Sequence, residues 1–377
     1  MQTVLWLKSD YLRTGGPESL LRDLTNAIDQ NRFSVVMGRI RRAGEAPIAS
    51  YPDVVRQIDI PWNGLAGTLA TGRRAATIAR QTGAAVLHSH DMRANAVSFV
   101  LRRSYSLPWI AHVHGWLGNT HRGRWRLYEA IDKRLICGAD LVLVGSQAAA
   151  AEVRACGVQN VEVVPNAVAI PAADAGEASS ALVRASLGLP GDALVFGMVG
   201  RLHPGKGQEV FLRAFADAAR DMPNLYGLVV GEGENKARLT ALVAELGLSG
   251  RLHLVGYVQD IVPYLRAMDV VVVPSIKDSL PLTALEAMAL SRPIIVSRAG
   301  DLQILVQNGV TGLVVPIGDP GAVAVQIRLL ATDPALRQRL GAAARQRIVD
   351  AYSAEAMARR LEAHYARMVM TRKSNGN

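Results

Sequence analysis

Twelve short apolar runs alternate along the chain with longer stretches whose apolar residues recur at helical spacing, and this alternation leaves little choice of fold. The runs fall in two series: residues 4–7, 35–37, 86–87, 110–113, 141–144 and 161–164, then 194–199, 225–230, 252–255, 270–273, 294–296 and 313–315. Most of these runs are apolar throughout, so both faces of each strand should be buried. That is the pattern of a parallel sheet covered by helices on both sides. Helical spacing is clear at 19–29, 211–219 and 236–246, and interleaved strands and helices give an α/β architecture.

Residues 169–190, which include IPAADAGEASSA, are rich in Ala, Pro, Gly and Ser and carry almost no bulky apolar side chain. They separate the two series. The expectation is a Rossmann-like domain over 1–170, a linker over 171–190 and a second Rossmann-like domain over 191–350. The length of 377 residues is comfortable for two such cores. A last helical stretch, 351–370, is expected to cross the domain junction, and 371–377 reads as a disordered tail. No apolar run approaches the roughly 20 residues of a membrane span. The opening MQTVLWLKSD lacks a basic flank and a cleavage site, so it reads as a first strand and the location as cytoplasmic. Cys137 and Cys156 form no paired redox or zinc motif.

The formal charge of +10 calls for an anionic partner, or none: nucleic acid, a membrane surface or a phosphate-bearing substrate. Only 5% of residues are aromatic and the basic ones are scattered, so nucleic acid is not expected. The densest basic stretch runs from Arg122 to Arg134, with Trp125 and Tyr128 among the cations. Two readings stay open for it: contact with an anionic membrane or pyrophosphate-lipid acceptor, peripheral at the inner face of the cell membrane, or a solvated helix face.

Ligands of open α/β sheets bind beyond the carboxyl ends of the strands. The first series ends its strands in Gly15-Gly16, His88 and His90, His112 and His114, Ser146 and Asn166. The second ends them in Gly200-Arg201, Gly231-Glu232-Gly233, Gly256-Tyr257 and Pro274-Ser275. No GxGxxG follows the first strand, which argues against a dinucleotide oxidoreductase. Recurrence of glycines and polar residues at the same structural place suggests two sheets facing one cleft.

The order of GGPES, His114-Gly115, ADLVLVGS, VVPNAV, GMVGRLHPGKG, VVGEGE, LVGYV, DVVVVPS, KDSLPLTALEAMALSRPIIVS and NGVTGLVV resembles the retaining glycosyltransferases of family GT4 (glycosyl transferases group 1). The likeness covers nearly the whole chain. It implies a GT-B fold, two Rossmann-like domains facing each other across a cleft. The implied activity moves a sugar from a nucleotide-diphosphate donor to an acceptor hydroxyl with retention, without cofactor or metal. An acceptor sugar or lipid-linked oligosaccharide is the implied partner, and cell-surface polysaccharide, lipopolysaccharide or lipid-linked oligosaccharide synthesis the implied setting. A GT-B nucleotide-sugar epimerase is the alternative.

Asp278 and Glu286 flank SLPLTAL. Ser279 suits an N-cap and Pro281 a first helical turn, leaving N–H groups around Leu282 and Thr283 for a diphosphate. Glu286, one turn inside, suits two ribose hydroxyls, and Asp278 the hydroxyls of the donor sugar. The resemblance assigns them these roles, although the family usually has Glu where Asp278 stands. Arg201 and Lys206, five apart in a glycine-rich loop, suit a diphosphate leaving group, again as the family implies. Gly15 and Gly16 allow close backbone approach to the donor, Gly231 shapes a turn near the nucleotide, and the family holds its base at positions matching Tyr257 and Val258. By resemblance, His114 lies near the reacting sugar carbon, where a neutral imidazole can orient a hydroxyl. His88, His90 and His112 read as structural, and the four histidines show no fixed ligand spacing that would make a metal site. The segment Gly300-Asp301-Leu302-Gln303-Ile304 departs from the family's Gly-Gly-x-Pro-Glu pattern.

Overall fold

The structure, a computed structural model, describes residues 1–9, 16–42, 51–52, 55–114, 124–172 and 177–374. Among the described residues, thirteen strands form two sheets whose pairings are all parallel. The first sheet holds β1 (Gln2–Ser9), β2 (Phe33–Arg41), β3 (Arg56–Pro61), β4 (Ala84–Ser89), β5 (Trp109–Val113), β6 (Leu141–Val144) and β7 (Val161–Val163), in the order β3-β2-β1-β4-β5-β6-β7. The second holds β8 (Leu194–Val199), β9 (Leu225–Val230), β10 (Leu252–Gly256), β11 (Val270–Val273), β12 (Ile294–Ser297) and β13 (Leu313–Val315), in the order β10-β9-β8-β11-β12-β13. Each sheet reverses its direction of growth once, between β1 and β4 and between β8 and β11. These are the switch points at which doubly wound folds bind ligands.

Twelve strands lie where the apolar runs predict them. The exception is β3, RQIDIP, an edge strand whose Asp59 pairs with Arg39 and Arg41 of β2, both at 2.7 Å. A charged edge strand has no apolar run to betray it.

The chain divides into two compact units. One is Met1–Ala167 with the C-terminal segment from Ala354; the other is Val168–Ser353. The two crossings lie side by side, since the Val168 N–H donates to the Tyr352 carbonyl at 3.1 Å. The stretch expected to be a linker instead carries a helix, Glu177–Ser186, within the second unit. None of its side chains is buried, which explains its linker-like composition. Arg184 fastens it, donating to the carbonyls of Ala267 and Ala193 at 3.0 Å and pairing with Asp269 at 2.7 Å.

The C-terminal helix runs from Ala354 to Ser374, so residues 371–374, expected to be disordered, are helical. It belongs to the first unit. Met357, Leu361 and Tyr365, one turn apart, are fully buried, while Glu362 accepts from the Asp29 N–H at 2.9 Å and pairs with Arg32 at 3.1 Å. Among the described residues, no helix is long and apolar enough to cross a membrane.

Candidate active site

The second unit's switch point gathers two loops far apart in sequence. After β8 the chain passes Gly200 and the exposed Arg201 into a short turn, Pro204–Lys206. His203 caps this turn by accepting from the Gly205 N–H at 3.0 Å, and Gln208 holds the Arg201 carbonyl at 2.9 Å. After β11 the chain reaches Asp278. Its carboxylate takes the Lys206 ammonium at 2.6 Å and the Ser275 hydroxyl at 3.2 Å through Oδ2, and the Ser279 N–H at 3.1 Å through Oδ1. Two groups 72 residues apart are thereby joined at one rim.

Helix Leu282–Ala289 follows. Its N-cap is Pro281 at φ −68° and ψ 130°, not Ser279 as the sequence suggests. Proline disfavours helical backbone at the residue before it, which keeps Leu280 out of the helix, and the extended ψ of Pro281 itself delays the first helical residue to Leu282. Among the described residues, no side chain caps this end. Leu282 and Thr283 therefore open the helix, and a helix N-terminus of this kind favours an anion. Glu286 lies one turn in and is half-buried.

Glycine lets these loops approach. A Cβ on Gly231 (φ +141°) would stand 2.0 Å from the Gly200 carbonyl oxygen, tying the ends of β8 and β9 together. Gly300 (φ +51°) has the same constraint from the Asp278 and Ser279 carbonyls, at 2.1 and 2.5 Å, and the Asp301 N–H donates to Ser279 at 2.8 Å. The segment that departs from the family pattern thus buttresses the Asp278 loop. Sequence reasoning missed this role, although the glycine itself was visible. Tyr257 is 60% exposed after β10, and the half-buried Val258 packs on the core.

The first unit's switch point is built differently. The ring of the half-buried His114, just after β5, stacks on His112 with centroids 4.3 Å apart, and its Nε2 lies 3.4 Å from His90 Nδ1. His88, His90 and His112 are buried beside it. Loss of hydration, then the charge of Lys8 and His88, holds the His114 pKa down at about 3, so its ring is neutral at neutral pH. Burial likewise pushes the other three well below the usual histidine range. Lys8 is buried with its ammonium 3.6 Å from Asp91. Burial alone would raise the Asp91 pKa, but Lys8 and the Ser9 and Ala94 N–H groups outweigh it and hold the carboxyl ionised. Gly16 begins the helix Gly16–Ala27; Gly15, Gly115 and Arg122 lie outside the described residues.

Two doubly wound units, one with an acid, a base and an uncapped helix at its switch point, define the class. Anabaena HepE in complex with UDP has the same fold, with a TM-score of 0.79 at 19% identity over 97% of this chain and all of that one. The fold is GT-B. The family model for glycosyl transferases group 1 matches residues 180–347 and that for glycosyltransferase family 4 matches residues 14–170. The chain belongs to this family of glycosyltransferases. Among its relatives, the D-inositol 3-phosphate glycosyltransferase of Corynebacterium diphtheriae is 29% identical over 76% of this chain and 71% of its own length. The lipopolysaccharide core biosynthesis glycosyltransferase LpsE of Rhizobium meliloti is 34% identical over 47% of this chain and 51% of its own. Both are glycosyltransferases by name, which does not favour the epimerase alternative.

Proposed function

We propose that the protein is a retaining glycosyltransferase that moves a sugar from a nucleoside-diphosphate donor to an acceptor hydroxyl. The observation that carries this reading is the Lys206–Asp278 pair at the mouth of the uncapped helix Leu282–Ala289. A cation, a carboxylate and free helix N–H groups converge there, as a diphosphate bearing a sugar requires. In this reading Arg201, Lys206 and the N–H groups of Leu282 and Thr283 hold the diphosphate, with Ser279, Gly231, Gly15 and Gly16 shaping its surroundings. Glu286 accepts from the ribose hydroxyls, Asp278 from the sugar, and the backbone at Tyr257 and Val258 holds the base. The bond from the anomeric carbon to the diphosphate breaks while the acceptor oxygen bonds to the same face. The acceptor proton passes to the leaving phosphate, and no metal or cofactor takes part. His114, neutral, orients a hydroxyl near the reacting carbon.

HepE is solved with UDP and with UDP-glucose, which makes UDP the first nucleotide to test. The name of LpsE, a lipopolysaccharide core biosynthesis enzyme, supports a lipopolysaccharide or related cell-surface setting. For the basic stretch, the described part, Arg124–Leu135, exposes Leu127 and Ile131 one turn apart beside Arg126 and Arg134. This face supports peripheral contact with an anionic membrane from the cytoplasmic side.

Glu286→Gln is the direct test. Hydrogen bonds to a charged group contribute roughly 1.5–3 kcal/mol each, so transfer should fall by about 100-fold or more while the circular dichroism spectrum is unchanged. Near wild-type turnover would remove Glu286 from the site.

A further inference from the structure

We propose that His88, His90 and His112 form a binding site for one Zn²⁺ in the first domain. The site follows from strand periodicity. Residues two apart share a face of a strand, so His88 and His90 share a face of the β4 segment, and His112 and His114 one of the β5 segment. The register sets His88 opposite Ile110 and Ser89 opposite Ala111, which places all four imidazoles on the same side of the sheet. Spacing along the sequence hides this, because strand pairing alone brings the two HxH pairs together.

One nitrogen from each of His88, His90 and His112 lies within 4.8 Å of the other two. All three residues are at most 2% exposed. Among the described residues, four of their ring nitrogens find no hydrogen-bond partner: Nε2 of His88, Nε2 of His90 and both nitrogens of His112. A neutral imidazole carries one N–H and one lone pair. Whichever tautomer His112 adopts, it buries both unmet, at a cost of roughly 1–3 kcal/mol for each. A cation takes such a lone pair directly.

The outer contacts fit as well. The Tyr365 hydroxyl, which accepts from Trp6 Nε1 at 3.1 Å, lies 2.7 Å from His88 Nδ1. A partner on the second nitrogen is the usual means of fixing a ligating histidine. Three imidazoles with no carboxylate or thiolate select a borderline metal such as zinc over magnesium or calcium. They leave a fourth position, beside the half-buried His114. Two terms oppose binding. Zinc–nitrogen bonds of about 2.0–2.1 Å put tetrahedral ligands about 3.3 Å apart, so the rings must draw together. The Lys8 ammonium also repels a cation, an effect that Asp91 offsets at 3.6 Å.

The test uses protein without a histidine tag, stripped with chelator under mild denaturant and refolded with or without Zn²⁺. Metal content is read after desalting, and the melting temperature and circular dichroism alongside. One zinc per chain and a raised melting temperature are expected, with Co²⁺ in its place giving the visible absorption of a tetrahedral site. His90→Gln and His112→Gln should lose the metal, and Tyr365→Phe should weaken it by about 10–100-fold. Should the histidine variants fail to fold, wild-type metal content and Tyr365→Phe decide. Zinc-refolded wild type without zinc, its histidines bridged by a buried water instead, overturns the site, as does a folded His112→Gln that keeps the metal. Neither result bears on Glu286→Gln, which tests the donor site separately.

Discussion

The two units share a frame and differ in how they furnish it. Both sheets run third, second, first, fourth strand, and both place candidate site residues where the order reverses. In the second unit that place holds Arg201, Lys206 and Asp278 on loops packed by glycine and Glu286 on the helix that follows, all exposed or half-buried. In the first it holds stacked imidazoles beneath Tyr365 with one buried ion pair, Lys8–Asp91. The difference follows from solvation. Cations and carboxylates stay near water because burying an unpaired charge costs far more than a hydrogen bond returns. Imidazole can be buried at neutral pH because it sheds its proton. The second unit is thus furnished for an anion, and the first with neutral imidazoles beside a single ion pair.

Acid should separate the two most sharply. The folded pKa values of His88, His90, His112 and His114 lie below the unfolded value, so the folded unit binds fewer protons. The stability they contribute is complete above about pH 6.5. It drains as pH falls through the folded values, about 3 for His114. Each withheld proton adds a slope of roughly 1.4 kcal/mol per pH unit, so the four approach about 5 kcal/mol per unit. All five tryptophans, Trp6, Trp62, Trp109, Trp116 and Trp125, fall within the first unit's span of sequence, so their fluorescence reports on it alone. In chelator-treated protein the urea midpoint by tryptophan emission should drop steeply between pH 7.5 and 5. An unchanged midpoint would mean that the imidazoles take up protons without loss.

The sequence made the second unit easier to read than the first, for physical reasons. Most of its strands are apolar runs, and its candidate site residues follow the ends of β8 and β11 within short stretches of sequence, where local motifs suffice. Asp278, Glu286, Arg201 and Lys206 all lie on that rim. What stayed hidden depended on contacts across long separations: Gly300 against the Asp278 carbonyl, Tyr365 against His88, and the salt-bridged edge strand at Arg56–Pro61. Helix Glu177–Ser186 escaped because it buries no side chain, and apolar periodicity records only burial.

A smaller effect should come from the backbone of the second unit. Gly300→Ala places a Cβ at φ +51° against two carbonyl oxygens. Left-handed backbone and the displaced loop together should cost about 2–4 kcal/mol of that unit's stability. Because the loop carries Asp278 and Ser279, UDP binding by calorimetry should weaken with it. The tryptophan-reported transition of the first unit should not move. If both units lose stability equally, they unfold as one body and the contrast drawn from acid would need another probe.

The smallest effect tests the charge itself. Lys206 is paired with Asp278 at 2.6 Å. A diphosphate arriving there must share the ammonium or take it over, so part of the attraction offsets a contact already made. Lys206→Met therefore removes less than a full charge-assisted bond, and UDP affinity should fall about tenfold, near 1.4 kcal/mol. The stability of the second unit should change by under about 1 kcal/mol, since a part-exposed pair contributes little. Asp278→Asn separates the two roles, because it frees Lys206 for the phosphates while removing an acceptor for the sugar. With this substitution UDP should bind at least as tightly as to wild type, and turnover of a UDP-sugar should fall. Weaker UDP binding by Asp278→Asn would show that Asp278 serves to position Lys206 and not to compete for it.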